Sequence, residues 1–509
     1  MTIAPSARDL PADVPGYGQI TAFAHGAVCP HRPVLPMKAD AGDRPKRLPD
    51  LTAALKAVGL RDGMTLSFHH HLRNGDGVMN AVMAAVAQAG IGDLMLAPSA
   101  VFAVHAPLAD HILRGTVTGL RTAYMAGPVA QAVGQGGLAR PAVLQTHGGR
   151  ARDIETGRLQ IDVAFVAAAM ADHAGNLSGA HGPSAFGPIG YGQVDAARAR
   201  HVVAVTDCLV QELPGAADIP AAQVDHLVVL DRIGDAASIA SGTTRITTDP
   251  TGLRIAGLAA DLIAASGLMR QGMSFQTGAG GTSLAVAARL GHLLAQAGIR
   301  AGFASGGITA PIVALHRAGL VDRLWNVQSF DLDAVASFAS DPLHFGMSAS
   351  RYANPARADA IVNALDVMIL GATEVGADFD VNVTTGSDGT IMGGSGGHAD
   401  AAAGAKLAIV VTPLETRGWP RLVDRVTCRT TPGAHIDAVV TQAGIAINPR
   451  RPDLEARARH AGLPVMALSQ MRALCPPPPV QRAVADAPVV AVCEYRDGSV
   501  IDLLRRRPD

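Results

Sequence analysis

Four stretches of this chain gather side chains whose types and spacing suit the binding of anions or the stabilisation of developing negative charge. The first is His69-His70-His71-Leu72-Arg73-Asn74-Gly75-Asp76. Its imidazoles, guanidinium and amide make a cluster of donors for an anion, with a solvated polar loop as the plain alternative. No metal is expected there, because neighbours on a strand point to opposite faces and one ion does not easily collect all three rings. The second is THGGRAR at 146–152, where Arg150 and Arg152 follow two glycines. That fork suits carboxylates or phosphates, unless both are ordinary surface arginines.

The third stretch is Gln276-Thr277-Gly278-Ala279-Gly280-Gly281-Thr282-Ser283. Its glycines let the backbone approach a ligand and aim several amides at one spot, as a phosphate, a carboxylate or the oxyanion of a thioester adduct would require. A turn that merely packs a helix on its strand is the alternative. A dinucleotide fingerprint is not formed, since Ser283 stands where the last glycine belongs. The fourth runs from Glu374 to His398, EVGADFDVNVTTGSDGTIMGGSGGH. Glu374, Asp378, Asp380 and Asp388 lie there among Asn382, Gly394, Gly396, Gly397 and His398, which implies a concave, backbone-lined site or else a long ordinary loop. The spacing of a calcium loop is missing.

The elements that must position these groups follow from periodicity. LTAALKAVG has helical spacing, MTLSFHHHL reads as a strand running into the histidine loop, and GVMNAVMAAVAQAG as a helix closed at Gly90. The order returns as LAADLIAASG, MSFQT, the GAGG loop, SLAVAARLGHLLAQAG and RAGFASGGI. Gly63-Met64 falls on Gly272-Met273, Asp162 on Asp366, Asp195 on Asp400 and Asp225 on Asp437, with offsets between 204 and 212 residues, so one unit is written twice. Runs such as DVAFVAAAM and KLAIVVTP lack alternation, as strands covered on both faces of a parallel sheet do. The expected fold is α/β, two tandem open units with mostly parallel sheets and the working site in the cleft between them. Residues 1–48 read as an extension, 49–268 as the first unit and 269–509 as the second. VVAVCEYRDGSVIDLL, a hairpin about Asp497-Gly498, closes the second unit.

Composition narrows the partners. Of 509 residues 48% are apolar and 17% charged, and the net charge of −1 lacks the basic excess that nucleic-acid binding needs. Five scattered cysteines without a C-x-x-C spacing argue against a disulfide framework or a structural zinc. The start has no leader pattern and no apolar run reaches membrane-spanning length, so a soluble cytoplasmic protein without membrane contact is expected.

Taken in order, SFHHHLRNGDGVMNAVM, LQTHGGRARDIETG, SGTTRITTDP, SFQTGAGGTSLAVA, FASGGITAPIVALHRAGLVD, RYANP and VNVTTGSDGTIMGGSGGHADAAAGAKL resemble the alpha subunits of citrate lyase, the citrate CoA-transferases, from about residue 15 to the end. The resemblance implies two tandem CoA-transferase-like domains and a thioester exchange, in which citrate replaces acetyl on the CoA-like prosthetic group of an acyl carrier protein, the gamma subunit. Acetate is released, and a beta subunit then cleaves the citryl-carrier within an oligomeric complex. No covalently bound cofactor is implied. Related CoA-transferases place a nucleophilic glutamate after the second strand of a repeat, whereas Phe303 to Val321 contains no acid and Gly306 takes the spot. The implied route is attack by citrate itself, without an acyl-enzyme.

On that route Gly278, Gly280 and Gly281 are assigned as oxyanion donors, and His69, His70, His71, Arg73, Asn74, Arg150 and Arg152 as citrate clamps. Gln276, Thr277, Gly394, Gly396, Gly397 and His398 are placed against the thioester moiety, and Glu374 and Asp388 as orienting groups or proton acceptors. Open alternatives are a citramalate CoA-transferase, a covalent transferase or acyl-CoA hydrolase using Glu374, and a non-catalytic subunit that docks the carrier.

Overall fold

The computed structural model describes residues 8–26, 33–37, 46–240, 244–477 and 487–507. In the first half the strands are β1 (Lys46–Leu48), β2 (Thr65–Phe68), β3 (Leu94–Pro98), β4 (Val117–Thr122), β5 (Ala142–Leu144), β6 (Val163–Ala168), β7 (His201–Thr206) and β8 (His226–Val229). In the second they are β9 (Ser274–Thr277), β10 (Phe303–Ile308), β11 (Leu324–Ser329), β12 (His344–Gly346), β13 (Val367–Gly371), β14 (Leu407–Val411), β15 (Ala438–Thr441) and β16 (Gly444–Ile447). The C-terminal β17 (Val489–Glu494) and β18 (Val500–Arg505) complete the set.

Seven parallel strands run β5-β4-β3-β2-β6-β7-β8 in one sheet, and seven run β12-β11-β10-β9-β13-β14-β15 in the other. The order is the same, so the duplication in the sequence is a duplication of topology. Every residue of β6 and of β14 is buried, which is why those runs show no alternation. Repeated aspartates do the same work in each half. Asp162 accepts from the Thr65 amide at 2.9 Å and Asp366 from the Ser274 amide at 3.0 Å, each pinning the first strand of its unit. Asp225 and Asp437 likewise accept from the amides of Val202 and Ala408.

Three expected boundaries are corrected. The C-terminal hairpin does form, but β17 pairs in parallel with β5, so it extends the first sheet to ten strands instead of closing the second unit. Its apolar residues Ala491 and Val492 are fully buried, and β5 would otherwise be left as an unpaired edge. The helix Pro250–Ala265 packs its Ile255, Ala259 and Ile263 into the core of the second sheet, so the second unit begins before residue 250 and not at 269. The extension is not all peripheral, because β1 is the outer strand beside β8 and Tyr17 donates to Glu494 of the hairpin at 2.8 Å. Of the five cysteines, Cys208, Cys428, Cys475 and Cys493 are free, and Cys29 lies outside the described residues. No helix among the described residues is long and apolar enough to cross a membrane.

Candidate active site between the halves

Strand order reverses between β2 and β6 in the first sheet and between β9 and β13 in the second. In open α/β sheets the ligand crevice lies beyond the carboxyl ends of the strands at that reversal. The histidine loop follows β2 and the GAGG loop follows β9, so two of the four stretches emerge there. Both loops are tied across the reversal, His69 Nε2 lying 3.0 Å from Ala167 O and the Gly278 amide donating to Ile369 O at 2.8 Å.

The three histidines are buried and engaged. His70 Nδ1 meets Ser99 Oγ at 2.6 Å, and His71 Nε2 lies 3.1 Å from Ile233 O. Burial, reinforced by His71, pushes His69 down to about 3, and burial with His147 nearby holds His70 well below its ordinary value. Burial leaves His69 and His70 no charge with which to clamp an anion, and all three rings are engaged in fastening the loop. Asp76 lies between His71 (3.4 Å) and His105 (3.3 Å), whose pull outweighs burial and brings its carboxyl to about 2. Among the described residues no group of three His, Cys, Asp or Glu is placed to hold a metal ion.

Arg73 does reach the second half. It adopts a left-handed φ of 54°, lies 4.1 Å over the Phe330 ring, and donates from Nη1 to Phe330 O at 3.3 Å. Burial lowers its pKa to about 10, which leaves it a cation at neutral pH. Asn74 is exposed and accepts from the Val104 amide. Arg150 and Arg152 are not substrate forks. Arg150 is spent bidentately on Asp195 at 2.8 and 2.9 Å, with Ala97 O at 2.6 Å, while Arg152 binds Asp153 and Arg496 O.

Glu374 and Asp388 are also committed. In the short strand Glu374–Gly376, the Glu374 carboxylate accepts from Asn382 Nδ2 (2.9 Å), the Thr427 amide (2.8 Å) and the Thr427 hydroxyl (3.1 Å). Fully buried and saturated, it is a poor nucleophile. Asp388 is exposed and bound to Thr390 and Arg507. The glycines that follow serve close approach between halves. A Cβ on Gly394 would lie 2.3 Å from Ala123 O, and the Gly396 amide donates to that same carbonyl.

What the halves bring together is a continuous wall. The His70 ring lies 4.8 Å from Tyr191, and Tyr191 lies 4.6 Å from His147. The His147 amide donates to Gly396 O at 2.8 Å. A Cβ on Gly397 would lie 2.3 Å from the Tyr352 hydroxyl, which accepts from Gln276 Nε2 at 2.7 Å. Gln276 in turn lies against Gly306, whose φ is +102° and whose Cβ would sit 2.6 Å from Gln276 Cδ. Burial lowers His147 to about 3 and His398 to about 4. His398 Nε2 meets Gly371 O at 3.0 Å, and the Gly371 amide would lie 3.8 Å from a Cβ on Gly278, so the third and fourth stretches meet at the end of β13.

Thr277 is buried at the end of β9. The helix Gly281–Ala297 follows it with Gly280 as an uncapped N-cap, so the amides of this N-terminus are the donors left for an anion, while that of Gly278 is used. His147, Tyr191 and Tyr352 belong to the wall, and Gln328 joins it by donating from Nε2 to His70 O at 2.7 Å; each acts through a group on another element, which the spacing of its own segment does not announce.

The family model described as citrate lyase, alpha subunit, matches residues 45–507. The citrate lyase alpha chain of Escherichia coli is 45% identical over 471 residues, 92% of each chain. A Streptococcus mutans crystal structure described as the alpha subunit of citrate lyase in complex with citrate superposes with a TM-score of 0.92 at 41% identity, covering 99% of both chains. A 4-hydroxybutyrate CoA-transferase from Porphyromonas gingivalis shares the fold, with a TM-score of 0.53 at 16% identity over 81% of this chain and 92% of its own. With two sheets of one topology, and with identity of this extent along nearly the whole length, the chain belongs to the citrate lyase alpha subunit family.

Proposed function

We propose that this chain is a citrate CoA-transferase that exchanges acetyl for citrate on a thioester, without acylating itself. A citrate carboxylate oxygen attacks the acetyl carbonyl, the C–S bond breaks and a thiolate leaves a mixed anhydride. The thiolate then attacks the citryl carbonyl of that anhydride, and acetate departs with the bridging oxygen. No protein nucleophile is consumed. Holding both reactants in line is worth about 7 to 11 kcal/mol and each aimed oxyanion donor about 2.7 to 4 kcal/mol.

The observation that carries the direct route is Gly306. It has no side chain, its φ of +102° disfavours one, and the amide of Gln276 fills the adjacent space. Glu374, the acid a covalent route would need, has its oxygens occupied. Gly280 and Gly281 at the helix N-terminus supply the amides, and Arg73 supplies a cation at the seam. The physiological thioester is the prosthetic group of an acyl carrier subunit, and the citryl product passes to a lyase subunit, as the citrate lyase relatives support. Incubating the purified chain with acetyl-CoA and citrate tests the reading: citryl-CoA and acetate are expected in equal amounts, and neither forms if the chain only docks a carrier. Running citramalate beside citrate decides between the two acids.

A further inference from the structure

Three adjacent parallel strands end at the seam with buried oxygen atoms that meet no partner among the described residues: Gln276 Oε1 on β9, Ser305 Oγ on β10 and Gln328 Oε1 on β11. Burying an amide carbonyl without a donor costs free energy, so such an atom calls for a ligand that supplies one. Two of the three are chemically ambiguous. A hydroxyl both gives and accepts, so Ser305 can turn, and Gln276 faces a tyrosine hydroxyl that can play either role. Gln328 is not. Its Nε2 lies 2.7 Å from the main-chain carbonyl of His70, which can only accept, so the amide is fixed with N–H toward the first half and Oε1 left as a bare acceptor.

The surroundings make that acceptor selective. Gln328 is 4% exposed, and two residues further on Phe330 carries Arg73 on its ring and carbonyl. It pairs in register with Gly307, beside Gly306. A carboxylate, which has only lone pairs to offer, is repelled by Oε1 and drawn to the guanidinium. On a hydroxylated tricarboxylate the single hydrogen-bond donor is the hydroxyl. Resting on the citrate reading above, we infer that Gln328 is a specificity-determining residue, whose Oε1 accepts the hydroxyl of the bound acid and so distinguishes hydroxy acids from their deoxy counterparts.

The test is calorimetric binding of citrate and of propane-1,2,3-tricarboxylate, its deoxy analogue, to the full-length chain and to Gln328→Met. Wild type binds citrate about tenfold more tightly than the analogue, the effect of one buried acceptor left unpaired. In Gln328→Met both acids weaken together through the lost anchor on His70, and the ratio collapses toward one. A wild-type ratio near one overturns the inference without any variant, so it stays testable if Gln328→Met does not fold. A ratio that survives in the folded variant overturns it too. If Gln328→Met instead leaves the acid ratio alone and weakens only acetyl-CoA, the donor is a pantetheine amide and the inference fails. Because binding is read without turnover, a chain that releases no acetate refutes the transferase reading and leaves this result to stand separately.

Discussion

Asp195 and Asp400, made equivalent by the internal repeat, both close on one helix of the first half, His147–Glu155. Asp195 holds its Arg150 at 2.8 and 2.9 Å, and Asp400 accepts from the Gly148 amide at 2.8 Å and the Thr146 hydroxyl at 2.9 Å. A single helix is thus gripped by the same residue of two halves, once through a side chain and once through its N-terminus. That grip fixes His147 against Tyr191 and Gly396, where the halves meet.

Asp400 is fully buried, and burial raises its pKa to about 6 against the pull of Arg496. The folded chain therefore holds this proton more firmly than the unfolded chain, whose carboxyl titrates at its ordinary value near 3.8. The contribution is undiminished below about 4 and is lost as pH rises to about 6 and beyond, by up to about 3 kcal/mol. Urea unfolding of Asp400→Asn, which cannot titrate there, shows a flatter stability curve between pH 4 and 7 than wild type. Parallel curves would contradict the assignment.

Glu374→Gln leaves one of three donors facing an amide N–H, so stability falls by about 1 to 3 kcal/mol. Turnover per folded molecule stays near wild type, and hydroxylamine added to the wild-type chain during turnover finds no acyl adduct at Glu374. A loss of several orders of magnitude in turnover, as removal of a nucleophile produces, would restore the covalent alternative.

Gly280 and Gly306 separate two uses of glycine. Gly280 sits at φ −74° with nothing within 4 Å of its Cβ position, so Gly280→Val changes stability by less than about 0.5 kcal/mol. Its branched bulk crowds the helix N-terminus, and kcat falls while citrate affinity holds. Gly306→Ala both forces a positive φ on a side chain and meets Gln276, so it costs stability by more than about 1 kcal/mol as well as activity. Thermal melts with steady-state kinetics check both, and unchanged turnover in Gly280→Val would remove the oxyanion role from that loop.

The C-terminal hairpin holds the first sheet together. Glu494 at the end of β17 binds Arg158 at 2.6 Å and Gln145 at 3.0 Å. Deleting residues 487–509 bares β5 as an apolar edge and strands these partners, so the truncated chain aggregates and loses cooperative unfolding. A truncated chain that remains monomeric and melts as wild type does would refute this.

Much of this was legible in the sequence because it was local or repeated. Asp162 and Asp366, Asp225 and Asp437 kept the same neighbours in each half, and the uniformly apolar runs of β6 and β14 had no exposed face to pattern. The site was less legible. Arg150 and Glu374 look like chemistry in a string of letters, yet their partners Asp195 and Thr427 lie 45 and 53 residues away and occupy them. Conversely, Tyr352 and Gln328 act only through groups of other elements, so no spacing announces them. The hairpin is legible as a hairpin, but its parallel pairing with β5 is a contact across some 350 residues that periodicity does not encode.

The account turns on whether citrate itself attacks the thioester. A single turnover with acetyl-CoA and citrate labelled with oxygen-18 in its carboxylates decides this, with the released acetate read by mass spectrometry. Direct attack places one citrate oxygen in each acetate. Unlabelled acetate in that first turnover, with the label appearing instead in a carboxylate of the protein, would contradict it.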